Sequence, residues 1–201
     1  MNAIAPRSSP PSALILLVVT VVAFFVQVSG LLNPTALALW PVGLGFWPWQ
    51  LVTYGFLHGS LMHLFLNMFA LYMFGPLIER AWGTRRFLVY YFVCLVGAGL
   101  VQLTVTYLTG APRPTIGASG AVFGLLLAFG MMYPNERILL IFPPIPLKAK
   151  WFVLAYGALT LFFGMTGTMA GVAHFAHLGG MIFGLGLILF WGRSDFYRRG
   201  R

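Results

Sequence analysis

The side chains best suited to covalent chemistry lie in three short motifs. Ser119 stands between small residues in the stretch Gly117–Gly120, where a polar loop gives way to an apolar run. The other two motifs are pairs, His63 with Asn67 and His174 with His177. Residues three or four apart lie on one face of a helix, so each pair presents its polar groups together. A serine activated by a histidine base is therefore the first chemistry to consider.

The composition of the chain places these motifs in a membrane. Of the 201 residues, 60% are hydrophobic and 7% are charged, and the mean hydropathy is +0.90. Soluble domains carry roughly 25% charged residues, so the chain is predicted to be an integral membrane protein of one domain. Cys94 is the single cysteine, which excludes an intrachain disulfide. The net charge of +9 does not indicate a nucleic-acid partner, because the basic residues fall where membrane topology would place them.

The apolar runs predict an all-α polytopic membrane protein with six transmembrane helices. The first run, of about 20 residues, is long enough to span a bilayer and too long for the apolar core of a signal peptide. Residues 1–12 are predicted to be a disordered cytoplasmic segment, 13–192 the membrane domain and 193–201 a basic cytoplasmic tail. Residues 33–56, uncharged and rich in Trp, are predicted to be a loop in the headgroup region. The predicted helices are Ala13–Leu32, Leu57–Leu77, Phe87–Thr109, Ser119–Tyr133, Trp151–Met165 and Met169–Trp191.

The basic residues predict the orientation of these helices. Of the 12 Lys and Arg residues, only Arg113 falls on one side of the six-helix arrangement, and all the others fall on the opposite side. By the positive-inside rule both termini are predicted to be cytoplasmic. The Trp-rich loop and the loop before Ser119 then share the outer face.

The predicted helix that begins at Ser119 is short. Running from Ser119 to Tyr133, it covers about 22 Å, whereas the hydrocarbon core is about 30 Å thick. If its inner end reaches the cytoplasmic interface, Ser119 lies about 10 Å below the outer surface. Ser119 is therefore predicted to form the floor of a cavity open to the outside.

Polar side chains inside membrane spans are costly and are by default functional candidates. Taken singly, a membrane histidine or asparagine is more often a hydrogen-bond partner between helices. Here Ser119, both histidine-bearing faces and Asn67 are all predicted in the outer half of the bilayer. Close approach of the helices that carry Ser119 and His177 is predicted by two small-xxx-small pairs, Gly120 with Gly124 and Gly180 with Gly184.

The distribution of charge limits the catalytic groups available to Ser119. The acids and the two lysines are all predicted at the cytoplasmic end: Glu79, Glu136, Asp195, Lys148 and Lys150. Neither a carboxylate for a Ser-His-Asp triad nor a lysine for a Ser-Lys dyad is then at hand. A Ser-His dyad remains, in which His177 takes the proton of Ser119 and later passes it to the leaving amine.

A hydrolytic serine also needs donors for the oxyanion. The predicted donors are the Ser119 backbone N–H, the Asn67 amide and a ring N–H of His63, helped by the dipole of the helix that begins at Ser119. Gly117 is expected to allow a tight loop that aims N–H groups at the oxyanion. Gly120 is expected to let the His177 helix come close.

Three motifs in this order resemble the rhomboid intramembrane serine proteases. They are HGSLMHLFLN from His58 to Asn67, GASG from Gly117 to Gly120, and AHLGGMIFG from Ala176 to Gly184. Glu79-Arg80 followed by Gly83 is also similar to the family pattern, and the resemblance covers about residues 13–192.

The resemblance implies Ser119 as nucleophile, His177 as general base, and His63 and Asn67 as oxyanion donors, with no cofactor or metal. It implies substrates that are single transmembrane helices, cut near the outer interface at small residues, and a cell membrane location, the inner membrane of a bacterium. Helix 5 and the loop before helix 6 would act as lateral gate and cap. His174 is interpreted as lining the cavity or supporting His177. Many members have Trp-Arg in the first loop where this chain has Trp49-Gln50, which puts in doubt the loop-anchoring role of the arginine but not the chemistry.

Three alternatives stay open. His63, His174 and His177 are three imidazoles that could hold zinc, although the chain lacks an H-E-x-x-H motif. A rhomboid-like protein without catalysis could bind or escort transmembrane clients, although such relatives usually lack the serine or the histidine. A small transporter is disfavoured by the lack of an inverted repeat and by the cytoplasmic placement of every acid.

Overall fold

The computed structural model describes residues 11–139, 145–166 and 173–192. Within these residues the chain forms eight α-helices and a two-stranded antiparallel sheet. The helices are α1 (Pro11–Val28), α2 (Pro34–Leu37), α3 (Gln50–Thr53), α4 (Leu61–Trp82), α5 (Thr84–Thr109), α6 (Ser119–Met132), α7 (Ala149–Thr166) and α8 (His174–Trp191). A 3-10 turn, Tyr54–Phe56, follows α3, and the strands are β1 (Arg137–Leu139) and β2 (Pro146–Lys148).

Four of the described helices are long and apolar enough to cross a membrane, namely α4, α5, α7 and α8. The other two apolar helices, α6 and the part of α1 from Ser12 to Val28, are shorter. The prediction of a helical, polytopic membrane protein is therefore confirmed. The predicted count of six crossings depends in addition on α1 and α6.

The first helix begins and ends earlier than predicted. It starts at Pro11, so residues 11 and 12 do not belong to the predicted disordered segment, whose residues 1–10 lie outside the described part of the chain. The buried Glu79 carboxylate accepts the backbone N–H groups of Ser12 (3.3 Å) and Ala13 (2.9 Å). A carboxylate at this position satisfies free N–H groups of the first turn and suits the helix dipole. At the other end α1 stops at Val28, because the chain turns at Gly30 with φ of 80°.

The second long helix, α4, is shifted toward the C-terminus relative to the prediction. It begins at Leu61 rather than Leu57 because Ser60 caps it, its side-chain oxygen accepting the N–H of His63 at 3.1 Å. His58 therefore lies before the helix and not near its end. The helix continues to Trp82 and stops at Gly83, whose φ of 81° ends the helical path.

The ends of α5, α6 and α7 lie within three residues of the predicted ones, whereas α8 begins at His174, and α2, α3 and the 3-10 turn lie in residues that were predicted as a loop. The chain after α6, predicted as a Pro-rich loop, also contains the β1–β2 pair, in which Arg137 lies opposite Lys148. The predicted start of helix 6 at Met169, much of the loop before it and the basic tail at 193–201 fall outside the described residues.

The short helix α6 lies at the centre of the fold, with ten of its 14 residues buried and none exposed. It packs against α8, α5 and α4. A Cβ added at Gly180 would overlap the carbonyl group of Gly120, so these two glycines let the backbones of α6 and α8 touch. A Cβ at Gly124 would overlap the Cys94 sulfur, and one at Gly184 the Tyr90 hydroxyl, so the second glycine of each pair makes room for α5. Both predicted glycine pairs thus lie at helix contacts, which fixes α8 against α6.

Candidate active site

Ser119 and His177 are brought together by this contact. Ser119 is the first residue of α6, and His177 lies in the first turn of α8. The ring nitrogen Nε2 of His177 is 2.8 Å from Oγ of Ser119. This is hydrogen-bonding distance between a hydroxyl and the group that could remove its proton.

An aromatic stack that the sequence analysis missed holds the His177 ring. The Phe123 ring lies parallel to it, with centroids 4.2 Å apart and planes at 9°. Phe123 in turn stacks on Tyr156 of α7 at 4.9 Å, and Tyr156 on Phe152 at 5.5 Å. Phe123 could have been found from its spacing, because it follows Ser119 by four residues and so shares its helix face.

Gly117 makes room for the ring of His63. Its φ is 120°, and a Cβ built on it would lie 2.7 Å from Cε1 and 2.8 Å from Nε2 of that ring. The Gly117 N–H donates to the carbonyl oxygen of Tyr54 at 2.9 Å. Gly117 therefore does not offer its own N–H to the site. The missing side chain lets the His63 imidazole lie against the loop two residues before Ser119.

Asn67 is buried one turn after His63 on α4. Its side-chain nitrogen donates to the backbone carbonyl of His63 at 2.9 Å. That bond uses one of the two amide hydrogens. The second remains for another acceptor, so the geometry is compatible with the predicted donor role.

His174 lies beside the Ser119–His177 pair without joining it. Its ring is edge-on to the His177 ring, with centroids 6.2 Å apart, and it also lies 5.8 Å from the Phe163 ring. His174 is buried, and its Nε2 has no hydrogen-bond partner among the described residues. The structure thus places His174 next to the His177 ring.

His58 packs against the ring of His63. Its ring is fully buried and edge-on to the His63 ring at 4.9 Å. The Gln27 side chain clamps the His58 backbone, donating to its carbonyl at 2.9 Å and accepting its N–H at 3.2 Å. Burial and the nearby His63 lower the pKa of His58 to about 4, so this ring is neutral at physiological pH.

The described residues contain no group of three His, Cys, Asp or Glu side chains placed to share a metal ion. The two described acids lie far from Ser119 in the fold. Glu79 binds the start of α1 and also accepts the hydroxyl of Thr84 at 2.8 Å, and Glu136 lies in the turn after α6. The arrangement around Ser119 therefore offers a serine–histidine pair without a described carboxylate partner.

Comparison with known proteins identifies the family of the chain. The family model of the Rhomboid domain matches residues 46–194. The chain belongs to the rhomboid family. The Bacillus subtilis protein named "Putative rhomboid protease YdcA" is 37% identical to it over 100 residues, which are 48% of each chain.

Relatives from organelles match over longer stretches. "Rhomboid-like protein 11, chloroplastic" of Arabidopsis thaliana is 35% identical over 161 residues, covering 74% of this chain and 53% of the relative. "Presenilin-associated rhomboid-like protein, mitochondrial" of Bos taurus is 33% identical over 144 residues, covering 67% of this chain and 36% of the relative. The chain thus spans about half the length or less of these relatives.

Proposed function

We propose that this rhomboid-family protein is an intramembrane serine endopeptidase that hydrolyses peptide bonds in or near transmembrane helices. The observation that carries the proposal is the 2.8 Å contact between Nε2 of His177 and Oγ of Ser119 at the partly buried start of α6. A hydroxyl held against an imidazole is the minimal constellation for acyl transfer through a covalent intermediate.

In the proposed reaction His177 takes the Ser119 proton as the oxygen attacks the scissile carbonyl carbon. The resulting oxyanion accepts hydrogen bonds from the Ser119 N–H, the free Asn67 amide hydrogen and a ring N–H of His63. When the C–N bond breaks, His177 gives its proton to the leaving amine and an acyl-Ser119 ester remains. Water, deprotonated by His177, then hydrolyses the ester and restores the free hydroxyl. No cofactor or metal takes part in these steps.

The proposed topology is a six-span domain, residues 13–192, with both termini in the cytoplasm. The distribution of Lys and Arg supports it. With 14 residues, α6 covers about 21 Å, so Ser119 lies below the outer surface of a bilayer whose hydrocarbon core is about 30 Å thick. The protein would be a multi-pass protein of the cell membrane, in a bacterium its inner membrane, with the cavity opening to the outer face.

The proposed substrates are single transmembrane helices that enter from the bilayer and are cut near the outer interface at small residues. Helix α7 is the proposed gate. Of the four candidate spans it is the least buried by the rest of the protein: 17% of the residues in its apolar stretch are buried, against 44% for α5. A helix with so little packing is the easiest to displace. The proposed cap, the loop before helix 6, falls largely outside the described residues.

The proposal is tested with the purified protein in liposomes, a reporter transmembrane substrate and a fluorophosphonate probe. Ser119→Ala and His177→Ala are each expected to abolish cleavage, and the probe is expected to label the wild type and neither variant. Ser29→Ala is the matched control, because Ser29 is exposed just after α1 and its hydroxyl donates only to the Val26 carbonyl within the described residues.

Two outcomes would reject the dyad. Cleavage by the Ser119→Ala protein would exclude Ser119 as nucleophile, and loss of activity in EDTA with rescue by zinc would favour a metal site. Binding of transmembrane clients by a wild type that neither cleaves nor reacts with the probe would instead indicate a non-catalytic rhomboid-like protein.

A further inference from the structure

The side chain of Gln50 is buried inside the first loop and uses its whole hydrogen-bonding capacity there. It is 1% exposed. Its Oε1 accepts the backbone N–H groups of Trp40 (3.1 Å) and Trp47 (3.2 Å). Its Nε2 donates to the backbone carbonyls of Gly45 (3.2 Å) and Ala36 (3.4 Å). A primary amide has two hydrogens and two acceptor lone pairs on its oxygen, so all four are used.

These four contacts hold the loop together with three other side-chain bonds to its backbone, from Trp40 Nε1 to Thr35 O (2.7 Å), from Trp49 Nε1 to Ala36 O (3.1 Å) and from Thr53 Oγ1 to Leu37 O (2.8 Å). Between α2 and α3 the described chain contains no helix and only one isolated β-bridge, at Leu39. Backbone groups at membrane depth must find partners within the protein. The Gln50 amide, on the first residue of α3, supplies four such partners and so joins four separate backbone positions of the loop.

The loop in turn holds the segment that leads into Ser119. Leu39 and Thr115 exchange both backbone hydrogen bonds, Leu39 N–H to Thr115 O at 3.0 Å and Thr115 N–H to Leu39 O at 2.9 Å. Leu39 directly precedes Trp40, whose N–H is bound by Gln50. The Gly117 N–H donates to Tyr54 O, which follows α3. The residues before Ser119 are therefore tied to both ends of the structure that Gln50 organises.

We propose that Gln50 is a positioning residue for the active site. Its amide holds the first loop in one conformation. The backbone hydrogen bonds between Leu39 and Thr115 then hold the segment from Thr115 to Ser119 against that loop. The oxyanion site depends on the position of this segment, because the His63 ring lies against Gly117 and Ser119 supplies a backbone donor. The catalytic consequence rests on the proposed protease function, whereas the structural coupling does not.

The chemistry of the four contacts makes the position specific for glutamine. Glutamate keeps the two acceptor contacts but cannot donate, and arginine keeps donors but cannot accept the Trp40 and Trp47 N–H groups. Asparagine is one methylene shorter. The loop in this chain is thus built around an amide, and Gln50→Arg, which would create the Trp-Arg pair common in the family, is expected to leave two buried N–H groups unpaired and to impair the protein.

The structural part is tested by hydrogen exchange of peptides covering residues 110–118 in the full-length protein. Gln50→Ala is expected to speed exchange of the Thr115 and Gly117 amides by about tenfold or more. Gln50→Glu and Gln50→Arg should show smaller increases. Gln102→Ala is the matched control, because the Oε1 atom of Gln102 on α5 has no hydrogen-bond partner within the described residues, and the substitution should leave this peptide unchanged. Unchanged exchange in Gln50→Ala would overturn the proposal.

The catalytic part is tested by the kinetics of the same variants. Gln50→Ala is expected to lower kcat about tenfold to hundredfold while KM stays within about threefold, because substrate still binds but the oxyanion site is misplaced. Faster exchange with unchanged kcat would overturn the catalytic role. A wild type without protease activity would refute the proposed function and leave the exchange result to be judged by itself. If Gln50→Ala does not fold, Gln50→Glu is used instead, because it removes the two hydrogen bonds that Gln50 donates and keeps the two that it accepts.

Discussion

Replacing Gly117 by alanine is expected to disable the oxyanion site while Ser119 and His177 remain paired. A Cβ at this position would lie 2.7 Å from Cε1 of His63, and φ is 120°, which L side chains rarely adopt. Ordinary carbon contacts begin near 3.4 Å, so the imidazole has to retreat by about 0.7 Å or the loop has to move by as much. Because hydrogen bonds to the oxyanion depend on such distances, the His63 contribution should be lost.

Loss of one oxyanion donor typically lowers kcat by about 10²–10³, and we expect Gly117→Ala to fall in this range with KM within about threefold. The assay is cleavage of a reporter transmembrane substrate in liposomes at several substrate concentrations. Gly59→Ala is the matched control. Gly59 is exposed in the chain just before α4, and the nearest described atom to its added Cβ is Cδ1 of Ile116 at 3.6 Å. The activity of Gly59→Ala should therefore stay within about twofold of the wild type.

A double-mutant cycle separates the clash with His63 from general damage. In a His63→Ala background the ring is absent, and Gly117→Ala should cost less than about tenfold in kcat, the remainder reflecting backbone strain. The reasoning is refuted if Gly117→Ala cleaves like the wild type. It is equally refuted if the substitution costs the same factor with and without His63.

Three further substitutions test other parts of the structure. Asn67→Ala should lower kcat by about 10²–10³ at nearly constant KM in the cleavage assay, and an effect on KM alone would contradict the donor role. Gly180→Ala should push α8 away from α6 and lower both the melting temperature and cleavage, whereas Gly186→Ala on the same helix, with no described atom within 4 Å of its added Cβ, should do neither. Glu79→Ala removes the acceptor of three hydrogen bonds at the start of α1 and α5 and should lower the free energy of unfolding by about 1–3 kcal/mol, measured by thermal or denaturant unfolding; an unchanged stability would show that α1 is held by packing alone.

The parts of the fold that follow from local sequence were predictable. The start of the central helix at Ser119 follows from a glycine-containing loop meeting an apolar run, and α6 begins there. The glycine pairs predicted the contact between the Ser119 and His177 helices, because small residues are what close packing in a membrane requires. The start of α4 was missed by four residues, although Ser60 at the N-cap is a local signal that could have corrected it.

The parts that depend on long-range contacts were not predictable. Residues 33–56 were expected to form an interfacial loop, and nothing local shows that a single amide at Gln50 organises it or that Leu39 pairs with Thr115. Two of the three partners of Glu79 lie 66 and 67 residues away in sequence. Nothing local shows that the N–H of Gly117 is bound by Tyr54 or that the missing side chain leaves space for His63.

The geometry around His177 explains how a dyad can work without a carboxylate. In a Ser-His-Asp triad the acid orients the imidazole and stabilises its protonated form. Here the parallel Phe123 ring at 4.2 Å restricts rotation of the His177 ring, and Tyr156 supports Phe123 from α7. The face of an aromatic ring attracts a cation, so the same contact offsets part of the desolvation cost of the imidazolium that forms when Ser119 loses its proton. In the proposed mechanism an aromatic side chain thus supplies orientation and part of the electrostatic stabilisation. It does so without placing a buried negative charge in the bilayer, where a carboxylate is costly.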